Sequence, residues 1–92
     1  MSEGDLARAC VKWLNNQPKS FFFKIHGGGC QMVGISDLLG ICNGRFVAIE
    51  LKIGKNKPSK IQKWFLGEVV KCGGVGAVCW SLEDVKKIFR KE

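Results

Sequence analysis

The sequence contains no apolar run that approaches the roughly 18 residues of a membrane-spanning helix, and residues 1–5 lack the basic and apolar regions of a secretory signal. We therefore expect an intracellular protein with no membrane segment. Its five cysteines are odd in number and include no CxxC pair, which argues against a disulfide framework and a structural zinc site. We interpret them as reduced, mostly buried, small apolar residues.

Acidic residues are scarce, since eight Asp and Glu stand against fifteen Lys and Arg, which gives a net charge of +7. A polyanion such as nucleic acid is the partner that most simply explains this excess, although a basic surface also serves solubility. The chain has 92 residues, 46% of them hydrophobic, with no internal repeat and no low-complexity tract. We expect one domain over residues 1–92.

Apolar residues recur at helical spacing in three segments. Ser2 and Ser81 can cap the first and the third of these helices. The second spans residues 59–72, and Gly73 with Gly74 stops it. Its apolar pattern consists of Ile61, Trp64, Phe65, Val69 and Val70.

Four β-prone runs complete the pattern and cover residues 21–26, 34–41, 45–53 and 75–80. The glycine-rich segment 27–34 lacks the GK[ST] ending of a phosphate-binding loop, so we interpret it as a connection. The predicted fold is α/β with the element order αβββαβα.

A tight hairpin is predicted between the second and third strands. Asn43 and Gly44 tolerate the positive φ angles of a two-residue type I′ loop. Counting outward from this loop places Asp37 opposite Glu50, with their Cβ atoms about 5 Å apart on one face of the sheet. Lys52 projects from the same face, because side chains alternate along a strand. Two like charges placed in this way need a cation between them.

Two opposed carboxylates with a backbone carbonyl between them favour a hard divalent cation, Mg²⁺ or Mn²⁺. Such an ion would polarise a phosphate oxygen and lower the pKa of a bound water, while the Lys52 ammonium would steady the attacking water or the developing charge. The alternative places Asp37 in a turn and makes Glu50 and Lys52 a solvated edge-strand pair. The otherwise apolar third strand argues against an exposed edge.

The motif GISDLLG at 34–40, followed by AIELK at 48–52, resembles the PD-(D/E)xK nuclease superfamily and, within it, the VRR-NUC family of virus-type replication-repair nucleases. The resemblance extends to PSKIQ at 58–62 and CGGVGAVCWSLEDV at 72–85. It implies a minimal restriction-endonuclease-like fold with a mixed sheet flanked by helices. Ser36 departs from the family, where proline usually precedes the aspartate, but that proline binds no metal.

The resemblance also implies a hydrolase, namely a divalent-metal-dependent DNA endonuclease. Asp37, Glu50 and the carbonyl of Leu51 would be the metal ligands, and Lys52 would be the catalytic lysine. In its small size the chain resembles the stand-alone members of the family, which are virus-encoded homodimers that act on branched DNA such as Holliday junctions. This resemblance implies a location in the host-cell cytoplasm. The alternatives are a nuclease acting on flaps or ends, a non-catalytic DNA-binding module of the same fold, and a purely structural protein.

Two helix residues extend the site that the resemblance implies. Gln62 matches the motif glutamine near the family's active site, and Glu3 lies where members often place a helix-borne acid near the metal. From the residues alone, Glu3 is equally a charge that favours a helix N-terminus, and Gln62 is equally a solvated helix position.

The predicted positive charge is concentrated beside the carboxylates, because no acidic residue occurs between Glu50 and Glu68. Lysines in a loop and at a helix start suit phosphate contacts, and the alternative is a solvated helix face. The predicted DNA-binding residues are Lys24, Lys55, Lys57, Lys60 and Lys63.

Lys24 and His26 share a face of the first strand and are expected to point toward the same cleft. A lone histidine is more often structural than catalytic. Trp13, Trp64 and Trp80 are all expected in the core, and none is needed as a platform for base stacking.

Overall fold

The computed structural model describes residues 1–26 and 32–90. Its elements in chain order are α1 (Glu3–Asn15), β1 (Ser20–Lys24), β2 (Leu38–Cys42), β3 (Arg45–Leu51), α2 (Lys60–Lys71), β4 (Val75–Cys79) and α3 (Leu82–Ile88). The predicted α/β class and the order αβββαβα are confirmed. The predicted connection 27–34 falls mainly on residues outside the described ranges, as does Cys30. No helix within these ranges has the length and apolarity needed to cross a membrane.

The four strands form one mixed sheet in the order β1-β2-β3-β4. The first three are antiparallel neighbours, and β4 joins β3 in parallel after the crossover through α2. The predicted hairpin loop is confirmed, because Asn43 and Gly44 have φ angles of 54° and 78°. Cys42 pairs with Arg45, and Leu38 pairs with Ile49, as the two-residue loop requires. The predicted register is therefore correct.

One face of the sheet is covered by α1 and α3 and contains the main core. Ser2 and Asp5 form a capping box at the start of α1, as their spacing predicts. Phe22 packs across Gly40, where a Cβ atom would lie 2.4 Å from its ring, so only glycine fits beneath this phenylalanine. The buried core residues are Leu6, Ala7, Cys10, Leu14, Phe22, Leu38, Val47, Ile49, Leu51, Cys79 and Val85.

The opposite face receives α2, which packs on β3 and β4. Ala48 and Gly76 are paired on these strands, and a Cβ atom at Gly76 would lie 2.8 Å from the carbonyl oxygen of Leu66. These small residues let the helix backbone approach the sheet closely. Leu66 is the buried residue of α2, and Gln62 lies on the same side one turn earlier.

The apolar face predicted for α2 is partly wrong. Ile61, Trp64 and Val70 belong to the predicted apolar pattern, but 43%, 50% and 55% of their surfaces remain exposed. The helix is rotated so that its glutamine and Leu66 face inward instead. This rotation matters for the site, because it places Gln62 over the end of β3.

The prediction of core positions for all three tryptophans holds only for Trp13, which is half-buried and packs against Phe89 with ring centroids 6.1 Å apart. Trp64 and Trp80 are 50% and 40% exposed, so their assignment to the core is wrong.

The cysteine prediction holds for two of the four described thiols. Cys10 and Cys79 are buried, whereas Cys42 is half-buried and Cys72 is exposed, and all four are free. Burial raises the pKa of the Cys10 thiol to about 11, which keeps it protonated and unreactive at neutral pH.

Candidate active site

Glu50 is the central residue of the site and lies near the end of β3, beneath α2. Only 2% of its surface is exposed. Its Oε2 atom accepts a hydrogen bond from Gln62 Nε2 at 3.0 Å and lies 3.3 Å from Lys52 Nζ. Its Oε1 atom is buried and has no hydrogen-bond partner among the described residues. A buried carboxylate oxygen without a partner is energetically costly, so a cation at Oε1 would be stabilising.

Asp37 supplies the second carboxylate from a position just before β2. Its backbone carbonyl accepts a hydrogen bond from the Ile25 N–H at 2.8 Å, which continues the pairing of β1 with β2. Its Oδ2 atom accepts from the backbone N–H of Leu51, also at 2.8 Å. The side chain therefore takes the place of a backbone acceptor beside the last residue of β3. The strand predicted to begin at residue 34 begins at Leu38, so Asp37 is the residue immediately before β2.

The Asp37 carboxylate lies close enough to Glu50 to affect the pKa of Glu50. Burial, followed by repulsion from the Asp37 carboxylate, raises the pKa of Glu50 to about 7, although Lys52 opposes this rise. Near neutral pH the carboxyl group is therefore divided between its protonated and ionised forms. A divalent cation would favour the ionised form, because it would offset both causes of the raised pKa.

Gln62 is oriented by the start of α2. The N–H of Ser59 donates to Gln62 Oε1 at 2.8 Å, and Ser59 Oγ accepts from the Gln62 N–H at 3.3 Å. Since Oε1 is engaged by this capping box, the amide NH₂ group is the one that faces Glu50. The solvated position considered for Gln62 is therefore wrong, whereas its catalytic role stays a prediction.

The oxygen atoms at this end of β3 form a donor set suited to a hard cation. A strand residue directs its N–H and C=O toward the same neighbouring strand, so the Leu51 carbonyl points to the side on which its N–H meets Asp37. Two carboxylates and one carbonyl are oxygen ligands of the kind that Mg²⁺ and Mn²⁺ prefer. The residues present therefore fit such an ion.

Glu3 is less closely tied to this donor set. It occupies the first turn of α1, which covers the opposite face of the sheet from Glu50. Within residues 1–26 and 32–90, no three His, Cys, Asp or Glu side chains are grouped so that they could hold a metal. Glu3 thus does not complete a group with Asp37 and Glu50, and its role as a ligand stays a prediction.

Four predicted DNA-binding lysines lie in the loop that follows β3 and at the beginning of α2. Lys55 and Lys57 are exposed in the loop, and Lys60 and Lys63 are exposed at the beginning of α2. The first turn of this helix contains no acidic residue, so its positive dipole end adds to the charge of the lysines. The basic segment is therefore contiguous with the site.

Lys24 and His26 do not share the cleft with the carboxylates, which corrects the expectation for these two residues. Lys24 pairs with Leu38, whose other partner is Ile49, and both partners are buried in the α1-side core. Lys24 and His26 line a pocket with residues of α1. A DNA contact by Lys24 stays a prediction, but it would be made from the other face of the sheet.

Sequence reasoning missed two features of the site. The orienting contact from Ser59 follows from the S-x-x-Q spacing of residues 59–62, which is a capping-box signature. Ser36 is 1% exposed, and its hydroxyl oxygen has no partner among the described residues. The sequence carried no signal for that burial.

Comparison of the chain with protein-family models and with curated proteins finds no match. Membership of the VRR-NUC family therefore stays a prediction from the motif resemblance.

Proposed function

We propose that this protein is a divalent-metal-dependent DNA endonuclease that hydrolyses phosphodiester bonds. The observation that carries the proposal is the buried Glu50 carboxylate. Within residues 1–26 and 32–90 its Oε1 atom has no hydrogen-bond partner, and the carboxylate of Asp37 lies nearby. A cation would offset their mutual repulsion and the cost of burial. No other function considered for the chain gives a reason to bury Glu50 next to a second acid within a basic protein.

The residues around this pair have distinct roles in the proposed reaction. When bound, Mg²⁺ or Mn²⁺ supplies Lewis-acid chemistry at a phosphate oxygen and a more acidic water. Gln62 and Lys52 both engage Glu50 Oε2, so they fix the carboxylate and leave Oε1 available to a cation. The Lys52 side chain is 16% exposed, which leaves its ammonium group access to a phosphodiester or to the attacking water.

The proposed substrate is branched DNA, with Holliday junctions suggested by the VRR-NUC-like motifs. Lys55, Lys57, Lys60 and Lys63 would contact phosphates on both sides of the cleaved bond without reading base sequence. We further propose that the protein is virus-encoded and acts in the host-cell cytoplasm.

A homodimer would supply the two active sites needed to cut opposing strands of a junction symmetrically. The part of the α2-side sheet face that lies over β1, β2 and the beginning of β3 offers a surface for the second copy. Phe21, Ile41 and Phe46 are cross-strand neighbours there and are 67%, 50% and 44% exposed, and Phe23 beside them is 45% exposed. These four side chains expose roughly 400 Å². That area is about the nonpolar share of the roughly 800 Å² that each partner buries in a standard interface.

Cleavage assays on four-way junction, flap and linear duplex DNA test this function, with Mg²⁺ or Mn²⁺ and with EDTA. Glu50→Gln should lower cleavage more than about 100-fold, because loss of even an outer partner of a metal ligand costs 10–100-fold. Glu83→Gln is the matched control, since Glu83 lies on α3 with 63% of its side chain exposed. It should cleave as the wild type does.

The outcomes separate the proposed enzyme from its alternatives. Cleavage of flaps or ends with no cleavage of junctions would keep the chemistry and replace the substrate. Metal-independent DNA binding without cleavage of any substrate would identify a non-catalytic binding module. Calorimetric titration with Mn²⁺ tests the metal site. Equal affinity for the wild type and for Glu50→Gln would show that Glu50 is not a metal ligand.

A further inference from the structure

An aromatic pocket adjoins the candidate active site on the side of the loop between β3 and α2. It has a volume of about 460 Å³ and is lined by Gly54, Lys55, Asn56, Lys57 and Trp80. Trp80 follows β4 directly, and 40% of its surface is exposed. The proposed cleavage chemistry assigns no role to this tryptophan, and the core does not account for it.

The Trp80 ring is held in place by the loop that faces it. Its Nε1–H donates to the backbone carbonyl of Asn56 at 2.8 Å, and its backbone N–H donates to Asp84 Oδ2 at 2.9 Å. The indole N–H is the only polar group of a tryptophan side chain, and here it is already engaged. The surface that remains open is therefore aromatic carbon, which can stack on a planar ligand but cannot hydrogen-bond to it.

The charges around the ring define the rest of the ligand. Lys55 and Lys57 line the same pocket, and none of the five lining residues is acidic. The pocket thus combines one fixed aromatic surface with two flexible cations. A nucleotide has the matching chemistry, since a base can stack on the indole while its phosphates meet the ammonium groups.

We propose that this pocket binds an unpaired nucleotide, with its base stacked on Trp80 and its phosphates contacted by Lys55 and Lys57. The base must be unpaired because both faces of a base inside a duplex are covered by its neighbours. The stacking would tolerate any base, because every base has an aromatic face.

The pocket lies next to the proposed catalytic residues. The Lys52 backbone N–H donates to the Cys79 carbonyl at 3.0 Å, and Trp80 is the residue after Cys79. An unpaired base on Trp80 would therefore lie at the same end of the sheet as Lys52, the lysine that faces Glu50. If the proposed nuclease function holds, on which this step rests, the enzyme selects DNA that is unpaired beside the cleaved bond, as at a branch point or flap.

Fluorescence of Trp80 tests the stacking directly. In a Trp13→Phe/Trp64→Phe background, Trp80 is the only tryptophan, and titration with an oligothymidylate of about ten nucleotides in EDTA should quench its emission. A Trp13→Phe/Trp80→Phe protein is the matched control. It retains Trp64, which is 50% exposed against 40% for Trp80, and its emission should not change. Absence of quenching at Trp80 would overturn the proposal, and this measurement leaves Trp80 itself unchanged.

Binding affinity provides the second test. Trp80→Leu should weaken binding of the oligothymidylate by about 5- to 150-fold and leave binding of blunt duplex DNA within about two-fold, while Trp80→Phe should retain most of the affinity. Equal losses for oligothymidylate and duplex, or equal quenching of Trp80 by poly-glutamate, would show a general polyanion surface and overturn the nucleotide site.

These measurements contain no catalytic metal, so they are independent of cleavage. Stacking without cleavage would reject the nuclease and keep the site, whereas cleavage without stacking would do the reverse.

Discussion

Replacing Glu50 with glutamine should stabilise the metal-free protein at alkaline pH. Burial and the Asp37 carboxylate raise the pKa of Glu50 from 4.5 to about 7. The folded protein therefore binds this proton more tightly than the unfolded chain does. The associated stability is fully present below about pH 4.5 and is lost as the pH rises through about 7.

The size of the effect follows from these two pKa values. Each pH unit corresponds to about 1.36 kcal/mol, so ionised Glu50 costs about 3 kcal/mol of folding free energy above pH 8. A glutamine of the same shape has no charge to bury. Its carbonyl can accept from Gln62 Nε2 or Lys52 Nζ, and its NH₂ group can donate to Asp37. Glu50→Gln should therefore be more stable than the wild type by about 3 kcal/mol at alkaline pH, with little difference near pH 4.5.

Urea unfolding in EDTA at about pH 4.5 and about pH 8.5 measures this difference. Addition of Mg²⁺ at 100 times its Kd should then stabilise the wild type by about 2.7 kcal/mol and leave Glu50→Gln unchanged. Glu83→Gln is the control and should stay within about 0.5 kcal/mol of the wild type at both values of pH. A Glu50→Gln protein that is less stable than the wild type at pH 8.5 would refute the reasoning. It would mean that Lys52 compensates the buried charge without a metal.

Three further predictions concern the surface and the sheet. Changing Lys60 and Lys63 together to alanine should lower the magnitude of the slope of log K for DNA binding against log salt concentration by about 1.8 and leave Mn²⁺ affinity unchanged. An unaltered slope would show that neither lysine contacts DNA. Phe21→Ser should convert the proposed dimer to monomers in sedimentation velocity. Thermal stability should change little, because Phe21 is 67% exposed. A wild type that is monomeric at every concentration would contradict the proposed dimer. Gly40→Ala should destabilise the fold by about 1–3 kcal/mol in urea unfolding, because its Cβ atom would meet the Phe22 ring at 2.4 Å, and an unchanged midpoint would contradict this packing.

The sequence predicted the parts of the structure that depend on neighbours along the chain. The serine caps of α1 and α3 follow from contacts three residues apart. The hairpin register follows from the conformation of Asn43 and Gly44, because a two-residue loop leaves only one way to pair the strands that flank it. This register, together with the alternation of side chains along a strand, predicts that Asp37 lies near Glu50 and that Lys52 lies on the same face. The proximity of the two carboxylates therefore follows from local sequence alone.

Tertiary structure decided the features that depend on how distant segments pack. The rotation of α2 was set by Ala48 and Gly76, which let the helix approach until Leu66 was buried, so Gln62 reached Glu50 and Trp64 stayed exposed. Apolar spacing along a helix could not reveal this rotation, because the small residues that permit it lie on other strands. The orientation of the exposed Trp80 ring likewise depends on a hydrogen bond to Asn56, which is 24 residues away in the chain. The sequence by itself determined that two acids and a lysine meet at the end of one hairpin. Only long-range packing determined which side chains surround them, because the fit between surfaces is a property of segments that are far apart in the chain.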